Sequence, residues 1–415
     1  MIKKIVVCLV LLFTFNSVAQ DGTSSPYSFY GIGDVRFKGT IESRLMGGLS
    51  LSDSIHINIH NPAANASLKY TTFAVAGNFN AVKFKTFNKD DKAQRSAIDY
   101  LALGFPIGKK FGTTFGLLSY SSVGYKIATR NTDNTFAKNS KGNGGVNKAF
   151  IGFGYKVNKN LSLGLDMNYS FGKIETKVIQ KSVNVQYGAQ QDNISDLSGL
   201  EVNLGATYQR KLYKNLDFYS SLVYTPQAKL TSENSSTLSS IVYNDEFENQ
   251  IVESNEAINS TEAIKLPSKI AIAAGIGQPR KWLVGAEITS KQSSNFSNRF
   301  GSYEGVNFEN ATKIAVGGYY IPNYNSFKSY FNKVTYRGGF RYENTGLVID
   351  NQSINEQAFT LGLGLPLGGT FSNINIGAEF GKRGTTKANL IQENFLNVVI
   401  GLSLNDLWFI KRKYD

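Results

Sequence analysis

The run Leu161–Phe171, LSLGLDMNYSF, alternates without a break. Leu161, Leu163, Leu165, Met167, Tyr169 and Phe171 fall on one side; Ser162, Gly164, Asp166, Asn168 and Ser170 fall on the other. A period of two means an extended strand with one apolar and one polar face. The pattern returns in LEVNLGATY (Leu200–Tyr208), NINIGAEF (Asn373–Phe380) and FLNVVIGLSL (Phe395–Leu404). Its length constrains the fold. Strands of a soluble sandwich run about 5–6 residues, whereas strands that cross a bilayer need about 9–11. Several runs reach the longer value, so the apolar face is expected to meet lipid and the polar face a lumen.

Fourteen such runs can be marked out, the first at Lys69–Lys85, the third at Thr113–Ala128, the last at Glu393–Leu404. An even number suits a closed antiparallel barrel of the bacterial outer-membrane type, an all-β fold without sheet edges. The connections alternate between short and long. Gly108–Gly112, Asn158–Asn160, Tyr213–Asn215, Gln278–Lys281 and Gly368–Ser372 are short; Thr129–Gly145, Ile179–Asp196, Glu233–Ala263 and Gln292–Gly305 are long. Short periplasmic turns and long external loops are the expected asymmetry. Pro322–Asn332 is too long for its side and reads as a periplasmic knob. Tyr120, Tyr155, Tyr224, Trp282, Tyr319, Tyr320 and Trp408 lie near strand ends and are expected in interfacial girdles.

The first twenty residues carry an export signal: Lys3 and Lys4, an apolar stretch from Ile5 to Phe15, and Ser17-Val18-Ala19 as a cleavage site. Cleavage near Ala19 removes Cys8, the single cysteine, and with it thiol chemistry and disulfides. The chain thus divides into a signal peptide (1–19), a weakly alternating N-terminal segment (20–67) and the barrel (68–415). The net charge is +13. In an exported chain without a basic helical stripe, that points to anionic lipid and not to nucleic acid.

Enzyme motifs are missing: no G-x-S-x-G elbow, no H-E-x-x-H and no cysteine pair. The glycines of GLGLPLGG and GFGYKV sit in strands and are expected on the lumen face. His56 and His60 are four apart, but they alternate with isoleucine before Asn61-Pro62-Ala63. No carboxylate or thiol completes a ligand set, so neither a metal nor another cofactor is expected. By parity Asp166, Glu201, Glu287, Glu379, Lys148, Arg337 and Arg341 face the lumen, as bracing pairs or as a selectivity lining. Lysines and arginines gather at the short turns (Lys109-Lys110, Lys156, Lys159, Arg210-Lys211, Arg280-Lys281), while the Glu233–Ala263 stretch is acidic.

The N-terminal segment reads SPYSFYGIGD, Ser25–Asp34, then Met46-Gly47-Gly48, then Asn61-Pro62-Ala63 before the first strand. The chain ends Trp408-Phe409-Ile410-Lys411-Arg412-Lys413-Tyr414. With LPSKIAIAAGIG, Leu266–Gly277, these stretches resemble the FadL/TodX family of outer-membrane channels for hydrophobic compounds, in the branch common in Bacteroidota. The resemblance implies a fourteen-stranded barrel with an N-terminal hatch in its lumen. It implies that Asn61, Pro62 and Ala63 belong to that hatch, with His56 and His60 meeting polar lumen groups and the isoleucines an apolar wall. It further implies lateral release at a kink in the third strand, where SYSSVGY offers Ser119, Ser121, Ser122 and Gly124.

The expected function is passive uptake of a small hydrophobic molecule, fatty acid-like or hydrocarbon, by a single copy lying in outer-membrane lipid and lipopolysaccharide after insertion by the barrel-assembly machinery. The competing expectation is a structural or assembly subunit of an outer-membrane secretion or motility machine.

Overall fold

The computed structural model describes residues 22–51, 56–87, 89–131, 133, 135–183, 185–243, 249–300, 303–368 and 371–407. Residues 1–21, where the export signal is expected, and 408–415, with Trp408, lie outside them. Fourteen antiparallel strands form a closed barrel. They are β1 (Thr71–Lys85), β2 (Asp90–Ile107), β3 (Phe111–Arg130), β4 (Phe136–Lys156), β5 (Leu161–Ser182) and β6 (Gly188–Tyr213). β7 is Leu216–Thr225 continued by Ala228–Tyr243; β8 is Asn249–Ser254, Ile258–Leu266 and Lys269–Gln278 in succession. Next come β9 (Trp282–Lys291), β10 (Val306–Phe308 and Ala311–Tyr320), β11 (Thr335–Ile349), β12 (Gln352–Pro366), β13 (Asn373–Arg383) and β14 (Gln392–Asp406). β14 closes on β1 from Asp406↔Thr71 to Gln392↔Lys85.

Side-chain alternation is realised as an apolar exterior. Leu163, Leu165, Met167 and Tyr169 of β5 and Ile270, Ile272 and Ile276 of β8 are exposed, while Asp166, Asn168 and Ser170 are buried inside. An exposed apolar band all round a closed barrel is what lipid requires and water would penalise. No helix among the described residues is long and apolar enough to cross a membrane.

Three expectations change. First, most of Thr129–Gly145, Ile179–Asp196 and Glu233–Ala263 is strand and not loop. Their polar residues still alternate and still pair, so β3 to β8 continue well beyond the bilayer height of about 9–11 residues. Of the acidic stretch, 244–248 lies outside the described residues. Second, Tyr120 and Tyr319 leave the girdle. Tyr120 sits at a β3 register shift between Ser119 and Ser121 and packs inward; Tyr319 packs against the buried Met46 cluster. Third, β10 is broken after Phe308. The extended ends of β3–β8 form a wall on the side opposite the short turns, the side the short-turn rule expects to be extracellular. On the opposite side the connection 321–334 exposes Phe327, Tyr330 and Phe331, with Lys333 Nζ 5.5 Å from the Phe327 ring centroid.

Candidate functional site

The lumen is occupied by the N-terminal segment. Its apolar residues find apolar wall: Ile41, Leu45 and Ile57 pack with Ala74, Ala76, Tyr100 and Ala102, while Met46, Leu49 and Leu51 pack with Ala273, Leu283 and Ala315. Ile59 packs against the first of these clusters; Ile55 lies outside the described residues.

Two rows of glycines set the depth to which it sinks. Gly112, Gly154, Gly164 and Gly205 stand side by side across β3, β4, β5 and β6. The 3₁₀ turn Pro62–Ser67 lies against this row so closely that a Cβ at any of the four would run into backbone or side-chain atoms of residues 61–66. A second row, Gly275, Gly285, Gly317 and Gly339, crosses β8 to β11. There Leu51 and the Met46-Gly47 backbone occupy the space that side chains would need. Absent side chains are what let one backbone approach another this closely.

Asn61 starts the turn. Pro62 follows at the first position, where its missing N–H costs nothing. The Asn61 Oδ1 accepts from the Ala63 N–H at 3.0 Å. Its Nδ2 donates to the Ser221 hydroxyl at 2.7 Å and the Ala206 carbonyl at 3.0 Å. Asn61 is completely buried, so these partners satisfy an amide that water cannot reach.

The opposite wall holds the segment by charge. Arg44 donates through Nε to Glu379 at 2.9 Å and through Nη1 to Asp99 at 3.1 Å. Burial opposes the Arg44 charge, but Glu379 and Asp99 more than offset it and hold the guanidinium above its usual pKa. Arg341 meets Glu379 at 2.6 Å and Glu356 at 2.8 Å. Lys38 meets Glu343 at 2.9 Å, and Arg383 joins Asp34 at 2.8 Å and also Glu356. Ser25 donates to Glu393, and Asn375 donates to Glu42 at 2.9 Å.

Of the other charges, Lys148 pairs with Glu201 at 2.6 Å, Lys313 pairs with Glu287 at 2.7 Å, and Arg337 donates to Asn375 at 2.8 Å. Asp166 accepts from Asn168 at 2.5 Å and Asn203 at 2.7 Å. His56 Nε2 lies 3.8 Å from Glu42. His60 rests against Phe37 with a buried Nε2; burial first, then the Lys313 ammonium, pushes its pKa down to about 4, so it is neutral. Among the described residues no three His, Asp or Glu side chains form a cluster that could hold a metal.

The third strand departs from its neighbour. β2 pairs with β3 only from Ile107↔Phe111 up to Tyr100↔Leu118. Beyond the shift at Tyr120, the N-terminal segment takes the place of β2: Asp34 and Val35 pair with Ser122 and Ser121. The Ser121 hydroxyl donates to the Ile32 carbonyl at 2.7 Å, and the Gly124 N–H donates to the Ser28 hydroxyl at 3.2 Å. Ser119 instead reaches Asn147 on β4. A cavity of about 280 Å³ remains beside this junction. Phe37, Leu118, Val223 and Leu266 line it together with Lys38, Lys148, Lys269, Lys291, Glu201 and Glu343.

Lys38, Arg44, Glu343, Glu356, Arg383 and Glu393 were not singled out by sequence reasoning. Glu343 shares parity with Arg337 and Arg341, and Glu356 is two residues from buried Ile354 and Ala358, so strict parity could have found them. The glycine rows carried a signal too, but each glycine is ordinary by itself and only register aligns them.

The closed fourteen-stranded antiparallel barrel is a FadL-like fold. The toluene transporter TodX of Pseudomonas putida is similar to it with a TM-score of 0.61 at 18% identity, over 90% of this chain and 99% of that one. The toluene transporter TbuX of Ralstonia pickettii is similar with a TM-score of 0.59 at 13% identity, over 88% and 98%. A FadL homologue of Pseudomonas aeruginosa gives 0.59 at 13%, over 90% and 99%. Identities this low establish the fold and nothing finer. The chain belongs to the BamG family, whose model matches residues 1–415. No protein with a curated description matches the sequence.

Proposed function

We propose that this chain is an outer-membrane barrel serving as a fixed subunit of the barrel-assembly machinery, with residues 20–67 acting as a permanent plug. The observation that carries this reading is the state of the lumen. The segment is wedged on two glycine rows, and Arg44 is paired on two sides at once. The remaining cavity is studded with lysines and glutamates. Lys148 with Glu201 and Lys38 with Glu343 are buried ion pairs in its wall, and they interrupt the apolar surface that a neutral hydrocarbon would follow. Membership of the BamG family supports the same reading. So does the periplasmic knob: exposed Phe327, Tyr330 and Phe331 beside Lys333 are the kind of surface a partner covers.

Tagged protein drawn from its native membrane in mild detergent tests this. Stoichiometric co-purification with the outer-membrane insertion machinery is expected, together with slower assembly of other barrels when the chain is depleted.

The second reading is passive passage of a hydrophobic or amphiphilic molecule, with lateral exit at Ser119, Ser121, Ser122 and Gly124 and with Asn61-Pro62-Ala63, His56 and His60 along the route. The gap between β2 and β3 above Tyr100, with a cavity behind it, favours it. A monomer that purifies alone with an extractable hydrophobic ligand, and whose depletion lowers uptake of that ligand, would put this reading first.

A further inference from the structure

Above the ring of continuous pairing, β3–β8 stand as an open six-stranded sheet with two edges. β8 pairs with β9 only from Gln278↔Trp282 to Lys269↔Lys291. Its outer parts, Asn249–Ser254 and Ile258–Leu266, pair with β7 alone. The two edges are treated differently. At the β3 edge, Asp34 and Val35 pair with Ser122 and Ser121, the Arg36 N–H donates to the Tyr120 carbonyl at 2.9 Å, and the uncovered stretch above carries Lys126 and Arg130. At the β8 edge, among the described residues, nothing pairs with the free side of Ile258–Leu266.

Unpaired edges are templates for foreign strands, and proteins usually blunt them with proline, inward charge, lysine or a cover. The β8 edge has a register shift at Ile251/Glu253 and a break between Ser254 and Ile258, but Ile258–Leu266 runs without either. It contains no proline from Asn249 to Leu266, and its one lysine is Lys265 near the lower end. Ile251, Val252 and Ile258 are exposed along it, which is the composition of a strand made to be paired. A nine-residue edge is long enough to hold an extended peptide by main-chain hydrogen bonds.

Charge selects the occupant. From Asn249 to Ile264 this edge carries Glu253, Glu256 and Glu262, all exposed, and no Lys or Arg. A second copy would set like charges against each other across the new ladder, which destabilises a strand pair. Anionic lipopolysaccharide is repelled for the same reason. We infer that the free edge of β8, centred on Ile258–Leu266, is a β-augmentation site for an extended, lysine- or arginine-bearing segment of a partner protein on the extracellular side. This stands on strand pairing and charge alone, and it holds whichever proposed function is correct.

The test is hydrogen exchange on the full-length barrel in detergent micelles. The probe is a synthetic twelve-residue peptide alternating Lys with Val and Thr. Without peptide, amides at 258–266 are expected to exchange much faster than those of central β5; with peptide they should slow at least tenfold. A peptide N-methylated at alternate amides keeps its charge but loses its ladder donors, and should give no protection. E253Q/E256Q/E262Q removes three exposed pairings and should weaken peptide binding by roughly tenfold, with gel mobility of the folded barrel unchanged. Three results overturn the inference: edge amides already as slow as β5 without peptide, no binding of the unmodified peptide, or equal protection by the N-methylated one. Protection that rises with protein concentration alone would assign the edge to a second copy and overturn it as well.

Discussion

Along β3–β6 the wall receives the N-terminal segment on glycines and amide groups, whereas along β11–β14 it receives it on charges. The neutral seat works by shape: Gly112, Gly154, Gly164 and Gly205 leave room, and Asn61 fills its hydrogen bonds. The charged seat works by mutual neutralisation: Arg44 and Arg341 share Glu379, and Glu356 serves Arg341 and Arg383. A shape-based seat ignores salt and pH but tolerates no added atom. A charge-based seat tolerates small shifts but fails when one partner is removed. Holding one segment both ways makes its position hard to change by any single perturbation of solvent, as the proposed plug role would need.

The largest effect should come from breaking the charged seat. Glu379→Ala leaves Arg44 and Arg341 short of a buried counter-ion and should cost about 3–5 kcal/mol. Urea unfolding of the refolded barrel in lipid vesicles measures it. A loss under about 1 kcal/mol would mean that the charges do not hold the segment. The neutral seat should answer to volume instead. Gly154→Val drives a side chain into the Pro62 carbonyl and the Ala66 nitrogen and should cost about 1–3 kcal/mol. It should also raise single-channel conductance in planar bilayers as the turn lifts. Unchanged conductance would separate the glycine row from plugging.

Acid should act on a third contact, His60 beside Lys313 and Glu287. Its unfolded pKa lies near 6.5 and its folded pKa near 4. Between these values the unfolded chain holds a proton that the folded chain does not, so stability rises with pH. The contribution is complete above pH 6.5 and is lost as pH falls toward 4, by at most about 1.4 kcal/mol per unit. His60→Asn should flatten that slope in urea midpoints taken at pH 7, 6 and 5; an unaltered slope would move the acid sensitivity elsewhere. Smallest is Asn61→Ala, which removes a cap and should cost about 1 kcal/mol. Because the glycine row still seats the turn, conductance should stay at the level of the intact protein. A leak as large as that of Gly154→Val would show that the cap, not the row, fixes the plug.

The lumen residues differ in how far the sequence exposed them. Parity alone points Asp166, Glu201, Glu287, Arg337, Arg341 and Glu379 to one face of their strands, because alternation is a local property of the chain. Their partners were not legible, since Arg44 and Glu379 are separated by 335 residues. Asn61-Pro62-Ala63 could be singled out because proline ends an extended run. That its turn would press on four glycines from four strands could not, because cross-strand register has no local signature. The wall extensions were missed for a related reason. Polar strands whose buried face is itself largely polar lack the apolar contrast that marks a strand, and only pairing partners make most of Thr129–Gly145 and Glu233–Ala263 strand instead of loop.

By itself, then, the sequence determined what depends on spacing along one strand: a membrane-crossing period of two, strands of bilayer length, an even strand number, and an N-terminal segment too irregular to join the wall. Tertiary structure decided what depends on distance between strands. It aligned the glycines into rows and joined Arg44 with the buried charges of β11–β14 into one network. It also parted β3 from β2 at Tyr120 and left the β8 edge without a neighbour. The physical reason is that alternation is fixed by the two-residue repeat of the backbone, whereas register and edges are fixed only when the barrel closes around its N-terminal segment.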